Sequence, residues 1–249
     1  MPAHSHPGGP SAAARPARSR PATAVSRWPA GPASGHPEAG ILAELGRLRP
    51  VCAAAGLGLG IALASDPQAA PAGPAEEAAA AAMPPHRRRE FLAGRLAARR
   101  ALRAVGLDCG EIPRAGRLPL FPPGRAASIS HSAGVAVAVA RAPDRDTHAP
   151  LGCDLELRPL PAGTARLVLR EDEEELLSDA WPVTSLFSAK EAAWKALHRS
   201  HEVVAGSLRD LRAEPYGDGL RIATRSAPEL AVHVRVAPVG PGVFSCVLD

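Results

Sequence analysis

RRREFLAGRLAARRALRAVGL, residues 87–107, followed after a Pro/Gly-rich loop by ASISHSAGVAVAVAR, residues 127–141, decides the fold class. In the first stretch Phe91, Ala98, Leu102 and Val105 recur at helical spacings and predict a buried stripe. Arg88, Arg95, Arg99 and Arg103 line another flank, where a solvated face is the plainest expectation. The second stretch is dense in Val and Ala and reads as a buried strand or strand pair. Working outward, residues 67–74 and the Ala run 78–82 read as a loop entering a helix. LGCDLEL (151–157) reads as a strand, residues 164–179 and 188–199 as helices, and AVHVRVAP and GVFSCVLD as antiparallel strands. Helix and strand are therefore mixed without a regular βαβ alternation, which predicts an α+β fold.

Residues 1–40 are rich in Pro, Ala, Gly, Ser and His and read as a disordered tail. A boundary near residue 148 divides the rest into halves at 41–148 and 149–249. The formal charge is +4, of which the tail supplies +3, so the body is close to neutral and a dedicated nucleic-acid binder is not expected. Cys52, Cys109, Cys153 and Cys246 have neither disulfide nor zinc-site spacing. No stretch resembles a signal peptide or a membrane span. These features predict a cytoplasmic protein.

Of 29 basic residues only Lys190 and Lys195 are lysines, five positions apart. Lys carries a compact charge whose pKa responds to its surroundings, unlike Arg, so their pairing either marks a place where lysine chemistry is wanted or is chance within a strong Arg bias. They lie in FSAKEAAWKAL (187–197), where Glu191 and Lys195 share a helix face. Ser188 with Glu191 also fits a capping box, and Glu191 with Lys195 an ordinary ion pair. In LGCDLEL, Asp154 and Glu156 fall on one strand face. That face is either a solvated strand end or a ligand pair for a hard cation such as Mg²⁺, which takes carboxylates together with substrate phosphates.

Taken together these motifs resemble the signature of the 4'-phosphopantetheinyl transferases: GCDLE (152–156) matches G-x-D-x-E, and FSAKEAAWKA (187–196) matches the family's K-E-x-x-x-K segment. RRREFLAGRLAARRAL (87–102) and LPLFPPGRAASISHS (118–132) resemble segments of the subgroup that includes the enterobactin-synthase component. Phe121, Ala127 and Cys153 depart from the family's usual residues without removing a ligand.

The resemblance implies a single-chain pseudo-dimer of two similar α+β subdomains with coenzyme A in the cleft between them. It implies that Asp154, Glu156 and Glu191 hold Mg²⁺, with Asp154, Glu191 and Lys195 as the catalytic set. Lys195 would contact the pyrophosphate, with Lys190 beside it. Ser130 and His131 would touch the cofactor's phosphates, and Arg87, Arg95 and Arg114 its nucleotide end. The implied partner is an apo acyl or peptidyl carrier protein, acted on by a monomer that binds neither nucleic acid nor membrane. Two other readings remain: another Mg²⁺-dependent phosphate-ester enzyme, although no Walker or G-x-G-x-x-G loop is present, and a non-catalytic module that binds carrier proteins or nucleic acid. The acidic run 171–175 is expected to be a solvated helix face.

Overall fold

The computed structural model describes residues 37–142, 149–201 and 206–248. The expected tail lies outside the described residues except for 37–40, which open the first helix, and so does the loop 143–148 at the expected boundary.

The chain begins with α1 (Pro37–Arg47), α2 (Arg49–Ala54), β1 (Leu57–Leu63), α3 (Pro74–Ala81) and the long α4 (Pro85–Ala104). Next come β2 (Arg114–Ala115) and β3 (Leu118–Pro119), which form a small hairpin, then β4 (Ala127–Ser132) and β5 (Val135–Arg141). The second half holds β6 (Cys153–Glu156), α5 (Ala165–Val168), α6 (Val183–His201), β7 (Leu211–Tyr216), β8 (Gly219–Thr224), β9 (Ala231–Val239) and β10 (Gly242–Val247). The fold is α+β. One antiparallel sheet has the order β1-β5-β4 and carries α4; the other has the order β6-β10-β9-β8-β7 and carries α6.

The alternation in VAVAVAR explains how both faces of β5 are buried. Side chains on a strand point alternately to opposite faces. Ala136, Ala138 and Ala140 therefore meet the Ala-rich face of α4 (Ala97, Ala98, Ala101), where small side chains let the helix lie close. Val135, Val137 and Val139 face the other way, into a cluster shared by both halves that includes Leu57, Leu59, Leu155 and Phe244. A third cluster fills the space between α6 and the second sheet. β4 turns into β5 through Ala133 (φ 49°) and Gly134 (φ 83°), both left-handed, as a two-residue hairpin requires.

The two sheets meet along their edge strands β4 and β6, and serine side chains take the place of a backbone ladder. Ser128 Oγ accepts a hydrogen bond from the Cys153 amide at 3.0 Å, and Ser132 Oγ accepts one from the Leu157 amide at 3.0 Å. These bonds satisfy edge amides that would otherwise be stranded.

The stretch 164–179 is not one helix. Two short 3₁₀ turns, Ala162–Thr164 and Glu171–Leu176, flank the single turn of α5, and the chain is extended at Leu169 and Arg170. Nor is the acidic run a solvated face, because Glu173 is fully buried and holds several partners in place. Among the described residues no helix is long and apolar enough to cross a membrane.

Candidate active site

Asp154 stands on β6 at the seam between the sheets and is buried. Gly152, just before β6, lies against α6 so closely that a Cβ there would collide with the Ala192 carbonyl. This approach sets the middle of α6, which carries Lys195, against β6 and Asp154. Buried Ala189, Ala192, Ala193 and Ala196 form the helix face that packs there. The helix starts at Val183, so Ser188 lies inside it and the capping-box account of Glu191 falls away.

Two groups converge on Asp154. Its Oδ1 accepts hydrogen bonds from Ser130 Oγ at 2.8 Å and from Lys195 Nζ at 2.7 Å, and Lys195 also donates to the Cys153 carbonyl at 3.0 Å. Its Oδ2 is buried with no hydrogen-bond partner. A buried carboxylate oxygen left bare is costly, and such an atom calls for a cation or water.

The neighbouring acids bear the same strain. Glu156, half-buried, is pushed up to about 7, first by loss of hydration and then by the charge of Asp154. Ser132 Oγ approaches it only loosely, at 3.5 Å. Glu191 is also raised, by burial and by Asp154, against the opposing pull of Lys195. Burial works against the charge on Lys195, yet Asp154 and its neighbours hold its pKa above the usual lysine value. Among the described residues no three His, Cys, Asp or Glu side chains are drawn together as a preformed metal cage. The donors that could hold a cation are Asp154, with its bare oxygen, and the flanking Glu156 and Glu191.

Of the expected phosphate contacts, Ser130 is buried and committed to Asp154. His131, next on β4, lies 3.9 Å through Nδ1 from Glu90 Oε1. Burial lowers its pKa, Arg87 and Lys195 push the same way, and Glu90 and Asp154 oppose them. Arg87 is exposed and donates to Glu90 Oε2 at 3.0 Å. Asp154, Glu156, Glu191, Lys195, Ser130, His131 and Arg87 thus form one electrostatic neighbourhood.

Arg95 belongs to a second group. Its Nε donates to the Ile112 carbonyl at 2.9 Å, and its guanidinium lies 4.5 Å from the Phe91 ring centre. Burial lowers its pKa to about 10, and the nearby charges of Arg114 and Arg99 act in the same direction. Arg114 is exposed, with Nε donating to the Gly116 carbonyl at 2.6 Å. Arg99 is no part of a solvated flank either: its Nη1 meets the fully buried Glu76 at 2.7 Å, and Glu76 also accepts the Ile112 and Ala72 amides.

Lys190 does not stand beside Lys195. It is fully buried on another face of α6, where Nζ donates to the Val168 carbonyl at 2.9 Å, to Glu173 at 2.9 Å and to the Leu211 carbonyl at 3.0 Å. All three ammonium protons are used, which rules out the expected cofactor contact. Helix geometry accounts for the separation, since positions five apart diverge by more than a quarter turn. Three further residues of the site carry only a spacing signal in the sequence: Ser128 and Ser132, at period two with Ser130, and Glu90, three and four places after Arg87 and His86.

Residues 75–141 match the family model described as the 4'-phosphopantetheinyl transferase N-terminal domain. Enterobactin synthase component D of Salmonella typhi is 32% identical over 158 residues, covering 59% of this chain and 59% of that protein. The 4'-phosphopantetheinyl transferase Svp of Streptomyces mobaraensis is 38% identical over 133 residues, covering 49% of this chain and 53% of its own length. Enterobactin synthase component D of Escherichia coli strain K12 is 38% identical over 121 residues, with 44% and 54% covered. The chain thus spans between 53% and 59% of the length of these curated relatives. The resemblance that the motifs carry is shown by these matches.

Proposed function

We propose that this protein transfers the 4'-phosphopantetheine arm of coenzyme A to a serine hydroxyl of an apo acyl or peptidyl carrier protein, releasing adenosine 3',5'-bisphosphate with Mg²⁺ as cofactor. The observation that carries this reading is Asp154, buried with Oδ1 tied to Ser130 and Lys195 and Oδ2 bare, beside two acids whose ionisation is suppressed. The donor set fits Mg²⁺. Hard carboxylate oxygens suit it, and it ordinarily completes its shell with water and substrate phosphates, so a protein cage need not be preformed. When bound, the ion would neutralise the diphosphate and the carboxylates together.

The residues of this chain then divide the work. His131 and Arg87 meet phosphate oxygens at the seam. The exposed Arg114, with the buried charge of Arg95 behind it, faces the nucleotide end. Lys195 lies where it can oppose negative charge on the departing bisphosphate as the bond from the β-phosphorus to its bridging oxygen breaks. The carrier serine oxygen forms the new bond to that phosphorus. Glu191, whose proton affinity is raised, is the group on this chain suited to receive the serine proton.

In the same reading the two helix-on-sheet halves, 41–148 and 149–249, are the similar subdomains of a single-chain pseudo-dimer acting as a cytoplasmic monomer. The test is to incubate the protein with apo carrier, coenzyme A and Mg²⁺ and to weigh the carrier. A gain of one phosphopantetheine that disappears on chelation is the expected result. An unchanged mass with several carriers would overturn the reading.

A further inference from the structure

The densest set of ionic contacts beside the carboxylate cluster converges on an acid that no motif singles out. Glu90 follows His86, Arg87, Arg88 and Arg89 near the start of α4, and its side chain is 15% exposed. Oε1 lies 3.5 Å from Nε2 of His86 and 3.9 Å from Nδ1 of His131, while Oε2 accepts a hydrogen bond from Arg87 Nη1 at 3.0 Å.

Two of these contacts are ordinary neighbours on one helix, at spacings of four and three. The third is not. His131 belongs to β4, so the carboxylate reaches from the helix to the strand whose preceding residue, Ser130, holds Asp154. The basic run also sits unfavourably, because α4 has no acid in its first turn and cations there oppose the helix dipole. Glu90 is the first carboxylate along α4 able to balance them. A local arrangement that costs stability is expected where ligand binding needs it.

We propose that Glu90 is a positioning residue: its carboxylate holds the Arg87 guanidinium and the Nδ1 edge of His131 together, so that the remaining Arg87 donors and His131 Nε2 are presented to the phosphates of coenzyme A. The inference rests on the transferase reading given above. The geometry gives it a definite consequence. A carboxylate 3.9 Å from Nδ1, beyond hydrogen-bond length, still favours the ring orientation that turns the Nδ1 edge toward it and Nε2 away, and a ligand then spends less binding energy in ordering the ring.

The experiment compares the full-length protein with Glu90→Gln, which keeps the shape and removes the charge. The KM for coenzyme A is expected to rise roughly 10-fold, the scale seen when a group orienting a ligand-binding side chain is lost, with kcat nearly unchanged. A purely structural helix contact would lower the melting temperature without this split. In a His131→Ala background the same substitution should add much less, since the ring that the carboxylate orients is gone. A folded Glu90→Gln protein with an unchanged KM, or effects of the two substitutions that simply multiply, would overturn the proposal. If Glu90→Gln does not fold, Glu90→Asp gives the same reading, because its shorter arm keeps the charge but withdraws from His131.

Calorimetric binding of coenzyme A separates this inference from the transferase reading. A wild type that binds the cofactor but transfers nothing sinks the reaction, while the weakening of binding by Glu90→Gln still tests Glu90. A wild type that does not bind it sinks both.

Discussion

Lys195 Nζ and Asp154 Oδ1 lie 2.7 Å apart although 41 residues separate them in the chain. The contact closes α6 onto β6 and leaves the second oxygen of Asp154 bare. It couples folding to the proposed chemistry, since the charge that neutralises Asp154 is the one assigned to the leaving group. Lys195→Met should cost about 1–3 kcal/mol, because a buried carboxylate loses its principal donor, and should also suppress transfer. Lys195→Arg should restore part of the stability and little of the transfer, because a planar fork cannot reproduce a compact ammonium. Urea melts alongside the carrier mass assay check both.

Glu156 gives a pH dependence with a definite sign. Its folded value of about 7 exceeds the ordinary 4.5. Between these values the folded protein holds a proton that the unfolded chain has released, so stability falls as pH rises through this window and levels off above it. Glu156→Gln should flatten the fall and be the more stable protein above it. Mg²⁺ competes with that proton, so it should raise the wild-type melting temperature more at about pH 8 than at about pH 5.5. Equal shifts at both would argue against Glu156 as a ligand.

For Glu191 stability and activity should part company. Burial and Asp154 already disfavour its charge. Glu191→Ala should therefore leave thermal stability unchanged or slightly raised while reducing transfer by about 10²–10⁴-fold, the usual contribution of a proton-transfer group. Circular dichroism melts and single-turnover mass analysis measure the two separately.

Lys190 should behave in the opposite way. Its loss removes one of the two cations that hold Glu173 in the interior, Arg225 remaining, and Lys190→Ala should cost about 1–3 kcal/mol. Because all its contacts are internal, the molecules that remain folded should keep a wild-type KM for coenzyme A. A raised KM in a stable Lys190 variant would restore the cofactor role that the geometry denies it.

Much of the fold was legible because it follows from local periodicity. The Val- and Ala-rich run 127–141 announced a buried strand or strand pair, which is β4 and β5, the spacing over 87–107 announced α4, and AVHVRVAP and GVFSCVLD lie in the last two strands. The stretch 164–179 misled because an acidic, helix-favouring composition says nothing about one side chain, Glu173, being drawn inside by Lys190 and Arg225.

By itself the sequence determined which residue types stand at which spacing: an acid pair two apart on a strand, an acid and a lysine four apart on a helix, and a Ser-His pair ahead of them. Only the tertiary structure decided which of these meet. It sent Lys195 to Asp154 and Lys190 into the core, committed Ser130 to an acid, and brought Glu90 to His131. The reason is physical. Spacing along one element sets the direction of a side chain relative to its neighbours, whereas partners across a seam are set by how closely two elements approach, which here depends on Gly152 against Ala192 and on serine hydroxyls joining two sheet edges.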